Sequence, residues 1–133
     1  MRKIAEDNTV DGVIKQKLLI IVATDGGSND GRGTDSKKRL YDWLVKTRNL
    51  NRTYVEFLIC TDEDSVIDYL NSWDKKIPKF DVTDDYHTEK AQTLKARGET
   101  FPFSRGDYIV KCLLGSIDPK IDGLDEKSCC ILS

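Results

Sequence analysis

The most specific chemistry in this sequence lies in its last four residues, Cys130-Ile131-Leu132-Ser133. A cysteine fourth from the end, two aliphatic residues and a final Ser form the C-a-a-X pattern, in which a prenyl group alkylates the thiol. A terminal Ser favours farnesyl over geranylgeranyl. The polar stretch before the box leaves it accessible to a transferase. One lipid chain holds a protein to a bilayer only marginally, so a second signal is expected. It is not a basic patch, because Lys120 and Lys127 are outnumbered by Asp118, Asp122, Asp125 and Glu126. Cys129, adjacent to the prenylation site, is the candidate for reversible palmitoylation.

A second candidate is Asp25, in Thr24-Asp25-Gly26 with Gly27 and Ser28 following. A carboxylate beside flexible backbone can offer oxygen to a hard cation such as Mg²⁺, or it can simply organise a turn. The loop has no Gly-Lys-Ser/Thr to cradle phosphate, and its glycines do not fit an EF-hand. Other constellations point to surface or capping roles. His87 sits among polar residues, Asp62, Asp64, Asp84 and Asp85 fall at helix starts, and zinc spacing is missing. Arg105-Gly106-Asp107, an integrin-type tripeptide, also opens a helix.

These residues need elements to position them. Leu18 to Ala23 is an unbroken aliphatic run, the pattern of a strand buried on both faces in a parallel sheet. Thr53 to Cys60 and Phe80 to Val82 predict two further strands. Thr34 or Asp35 caps a helix to about Arg48, with Leu40, Trp43 and Leu44 inward. Thr61 to Asp64 reads as a capping box before a helix carrying Val66, Ile67, Leu70 and Trp73, which ends before Pro78. A helix over Asp84 to Arg97 would turn Tyr86, Ala91 and Leu94 inward. Ser104 to Asp107 is a second capping box, before a helix with Tyr108, Ile109, Cys112 and Leu113 on its inner side. Strands alternating with helices imply right-handed crossovers and an α/β Rossmann-like three-layer sandwich around a small, mostly parallel sheet.

Residues 1–16 are read as an N-terminal arm or short helix, 17–119 as the α/β domain, and 120–133 as a flexible tail bearing the lipid box. Within 17–119 the ordered succession of segments resembles the C-terminal half of a von Willebrand factor A-type domain of the intracellular eukaryotic kind. The segments are the strand ending in Thr24-Asp25-Gly26, Phe57 to Asp62, Tyr69 to Pro78, Asp84 to Tyr86, Phe103 to Tyr108 and Leu114 to Pro119. The resemblance implies a divalent-cation adhesion site built from Asp-x-Ser-x-Ser, a later Thr and the Thr-Asp-Gly Asp. Only Asp25 has a match, so the implied metal site is incomplete and would hold Mg²⁺ feebly. In the family this strand pairs with the first strand, which has no counterpart here. Leu18 to Ala23 is therefore expected to be a bare edge, open to self-association, to cover by residues 1–16, or to pairing in a longer product of which this is a fragment.

The chain has 133 residues, enough for one core. With 38% hydrophobic and 33% charged residues and no run near ~20 apolar residues, it is expected not to span a membrane. A net charge of −2 and scattered basic residues argue against nucleic acid. The N-terminus turns acidic where a signal peptide would turn apolar, and Cys60 and Cys112 sit in apolar runs as core thiols, so a cytoplasmic location is expected. The expectation is a non-enzymatic, lipid-anchored module that binds a protein partner at a membrane face. A small prenylated GTPase is the enzymatic alternative, but its phosphate-binding lysine and its Asn-Lys-x-Asp are both missing.

Overall fold

The computed structural model describes residues 9–10, 13–14, 16–26 and 35–126. Its centre is a parallel sheet of three strands in the order β3 (Leu18–Thr24), β4 (Thr53–Ile59), β5 (Phe80–Thr83). Ile21 stands beside Glu56 and Glu56 beside Asp81, while Val22, Phe57 and Val82 make the adjacent row. Successive side chains point to opposite faces, so this register builds two unlike surfaces. Helices lie along both, and the α/β Rossmann-like layout is that expected from the alternation of elements.

One face is apolar. Helix α1 (Asp35–Asp42) continues into a π-helical turn, Trp43–Thr47, closed by the Arg48 amide on the Trp43 carbonyl at 2.9 Å. Leu44 from that turn and Val66 and Leu70 from α2 (Asp64–Asp74) pack on Val55, Phe57, Phe80 and Val82. Each buried side chain of this size contributes about 1.5–3 kcal/mol. Arg48 pins the layer from below. Its buried guanidinium donates to the carbonyls of Thr53 at 3.1 Å, Lys79 at 2.8 Å and Pro78, joining the helix end to the starts of β4 and β5. Burial lowers the Arg48 pKa from its ordinary value.

The other face is polar at its centre. It carries Glu56, Asp81 and Thr83, over which α4 (Arg105–Leu114) packs, with α3 (Tyr86–Arg97) beside it. Asp85 caps α3 by accepting from the amides of His87 and Thr88, and Gly98 ends it at φ 106°, a conformation open to glycine. Ser104 and Asp107 form the expected capping box of α4.

Several expectations are corrected. The capping box at Thr61–Asp64 does not form: Glu63 holds the cap position of α2 without a side-chain bond, and Thr61 Oγ1 accepts from the Glu63 amide instead. Cys60 is exposed, since β4 ends one residue before it, while Cys112 is buried. In α3 the buried residues are Glu89 and Thr93, and Ala91 is exposed. In α4, Lys111 and Cys112 face inward, whereas Ile109 is 57% and Leu113 44% exposed. Both helices are turned by one ion pair, Lys111 Nζ to Glu89 Oε2 at 2.8 Å, which apolar periodicity cannot anticipate.

The ends of the domain also differ from expectation. Residues 9–14 contain a short antiparallel ladder, β1 (Thr9–Val10) with β2 (Val13–Ile14), and no helix among those described. It pairs with itself, so among the described residues β3 has one strand neighbour, the edge position expected for it, but it is half-buried where burial on both faces was expected. The start of the expected free tail is held in place. Pro119–Asp122 forms a short helix, α5, capped by Asp118. Beyond it the Gly123 and Leu124 carbonyls accept from Arg97, and Asp125 pairs with Lys111 at 3.2 Å.

Candidate functional site

Asp25 lies where the sequence places it, exposed at the carboxyl end of β3. Thr24 organises the turn, its hydroxyl donating to the Gly26 carbonyl at 2.8 Å and accepting from the Gly26 amide at 3.3 Å. Among the described residues no cluster of three carboxylate, imidazole or thiol ligands includes Asp25. A lone exposed carboxylate does not fit a resident cation. Gly27, Ser28, Cys129 and Cys130 lie outside the described residues.

The densest gathering of titratable groups is instead beneath α4, and the sequence reading does not single it out. Glu56 and Asp81 stand side by side on the polar face of the sheet. The Thr83 hydroxyl donates to Glu56 Oε1 at 2.7 Å and the Ser116 amide to Oε2 at 3.2 Å. Asp81 Oδ1 accepts from the Val82 amide at 2.8 Å, but no donor outside the neighbouring carboxyls reaches Oδ2. Asp74, at the end of α2, and Asp122, in α5, close on Asp81 so that one ligand oxygen from each lies within 4.8 Å of the others.

Burial and mutual repulsion act together here. Burial pushes the Glu56 carboxyl up to about 7 against the hydrogen bonds that favour its charge. Asp81 is pushed up to about 9, by burial first and then by the charges of Glu56, Asp122 and Asp74. Asp74 rises to about 7 through burial and Asp122, and Asp122 itself is raised chiefly by burial. One cation is set among them. Burial works to lower the Lys111 pKa, but Glu89 and Asp125 outweigh it and hold the ammonium above its ordinary value.

Gly115 shows how closely the layers meet. A Cβ there would stand 1.7 Å from Asp81 Oδ2, so only glycine lets the turn after α4 settle on the sheet. The sequence does carry a faint signal of this site. Glu56 interrupts Tyr54-Val55-Glu56-Phe57-Leu58-Ile59, and Asp81 interrupts Phe80-Asp81-Val82, each an acid at the centre of an apolar strand.

Above this layer α4 shows the reverse of ordinary amphipathicity. Ile109, Val110, Leu113, Leu114 and the following Ile117 are all exposed. Ile21 of β3, on the same side of the sheet, is 43% exposed. Among the described residues no helix is long and apolar enough to cross a membrane. No family model matches the chain, and neither the curated proteins nor the solved structures compared with it include a match.

Proposed function

We propose that this domain is a non-catalytic protein-interaction module resembling part of a von Willebrand A-type domain, tethered to the cytoplasmic face of a membrane by a farnesyl group on Cys130. The outward face of α4 is the observation that carries the interaction role. Five apolar side chains within nine residues, from Ile109 to Ile117, face solvent where a soluble helix normally presents charge. A protein partner with a complementary apolar surface would bury them. The tether rests on the C-a-a-X residues, with Cys129 as the second, reversible lipid site. Asp25 belongs to an incomplete adhesion site in this reading, and Mg²⁺ there is at most a weak ligand.

The test joins both parts. Protein made in eukaryotic cells is expected to carry the mass of a farnesyl group and to partition with membranes, and Cys130→Ser is expected to lose both. An Ile109→Glu/Leu113→Glu variant is expected to keep the lipid and the fold while losing the protein neighbours that proximity labelling finds at the membrane. A bare polypeptide mass in the soluble fraction would refute the tether. Unchanged neighbours in the double variant would refute the role of α4.

A second reading has its own observation. Among the described residues the outer edge of β3 has no strand partner, and with Ile21 beside it this edge can pair with the same edge of another copy, giving self-association through Leu18–Ala23.

A further inference from the structure

The carboxylates beneath α4 raise a question that capping and ion pairing do not answer. Asp74, Asp81 and Asp122 come from three separate elements, and one oxygen from each lies within 4.8 Å of the others. Like charges brought this close repel unless a cation or shared protons stand between them. Lys111 is the nearest buried ammonium, but its two short contacts go to Glu89 and Asp125.

Two buried oxygens are also left without an ordinary hydrogen-bond partner. Asp81 is only 1% exposed, and no donor outside the neighbouring carboxyls reaches its Oδ2. Ser116 is 8% exposed, and its Oγ is equally without a partner. Buried oxygens left unsatisfied are costly and rare. Asp81 Oδ2 packs against Gly115, in the space that a Cβ there would fill. Gly115 and Ser116 line a cavity of about 490 Å³ together with Asp74 and Asp122. Lys75, Lys76 and Lys79 line it as well, and Lys79 is drawn to the Tyr54 ring at 4.9 Å.

We infer that Asp74, Asp81 and Asp122 bind one hard divalent cation, Ca²⁺ or Mg²⁺, at the wall of this cavity. Oxygen-only donors select such ions over zinc or copper. Oxygens within 4.8 Å of one another fit around a single Ca²⁺, whose bonds are about 2.3–2.6 Å, and slight closure would admit Mg²⁺ at about 2.0–2.1 Å. The cavity leaves room for water to complete the coordination. The ion would join the end of α2, the middle of β5 and the α5 turn. This site is separate from the Asp25 loop, which lies beyond the opposite, carboxyl end of the strands, and it does not depend on lipid attachment.

The experiment uses the full chain, stripped with EDTA and exchanged into chelator-free buffer, then titrated with CaCl₂ and separately with MgCl₂. Calorimetry is expected to show saturable one-to-one binding of at least one of these ions, and saturation to raise the Tm by about 5 °C. Asp122→Asn and Asp74→Asn, which keep the side-chain shape, are each expected to weaken binding at least tenfold. Asp25→Asn is expected to bind as the wild type does. Circular dichroism of each variant separates lost binding from lost fold. Absence of saturable binding to either ion, wild-type affinity in both Asp122→Asn and Asp74→Asn, or loss of binding in Asp25→Asn would each overturn the assignment. So would an Asp81→Asn protein that is more stable than the wild type while the wild type ignores both ions, because shared protons alone would then satisfy the cluster.

Discussion

Lys111 is a lysine on the buried side of a helix whose apolar residues face water. The arrangement holds because Glu89 and Asp125 both reach its ammonium, and Glu89 Oε1 also accepts from the Asp84 amide at 2.8 Å. A buried pair of this kind contributes little net stability over apolar residues of the same size, but breaking it leaves an uncompensated charge. Lys111→Met is therefore expected to lower unfolding stability by about 3–5 kcal/mol in urea denaturation. Adding Glu89→Gln to that variant should recover part of the loss, since the stranded carboxylate is then gone. Equal losses in the single and double variants would show that the pair is not coupled. Residue-scale features of this kind divide sharply in how far sequence discloses them. The caps at Asp85 and at Ser104 with Asp107 are legible because donor and acceptor are two or three residues apart. Glu56 and Ser116 are 60 residues apart, and only the fold brings them together.

The same division runs through the elements. Three strands and four long helices are readable from apolar runs, breakers and capping residues, and their observed bounds differ from the readings by a few residues. The faces of α3 and α4 are not readable, because periodicity assumes that apolar side chains turn inward. Here the Lys111–Glu89 pair sets the rotation and leaves Ile109 and Leu113 outside. For β3 the aliphatic run announces the strand, while its place at a sheet edge is expected only from the missing partner strand of the family it resembles. Ile20 and Val22 pack against the core, while Ile21 is turned to the other, less covered face. An edge strand with an exposed isoleucine is a template for another chain, and a lysine is a common natural deterrent at such edges. Ile21→Lys is expected to leave the fold intact and to convert any concentration-dependent dimer seen by sedimentation into monomer. A dimer that persists in Ile21→Lys would move the contact away from β3.

Across the whole molecule, the buried carboxylates set an unusual dependence of stability on pH. Glu56 and Asp74 are raised to about 7 and Asp81 to about 9, against about 4 in an unfolded chain. A carboxyl whose folded pKa lies above its unfolded value binds its proton more tightly in the folded state. Its stabilising effect is complete below about pH 4 and is lost as pH rises through the folded pKa. Asp85 and Asp107 are lowered by their capping bonds and act in the opposite sense, but both are exposed and their effect is confined to acid. Lys111 stays charged throughout, so it adds no slope between pH 5 and pH 9. Metal-free protein in EDTA is therefore expected to lose stability on going from pH 5 to pH 9, with the Tm falling by roughly 10 °C. That is the reverse of ordinary acid denaturation, in which ion-paired carboxylates lose charge as pH falls. Asp81→Asn, which cannot ionise, should flatten the upper part of this fall, because it removes both the group raised furthest and the charge that Glu56 meets on its own face. A Tm that climbs with pH, or a slope untouched by Asp81→Asn, would mean that these carboxylates stay charged in the folded protein and are compensated by something other than protons.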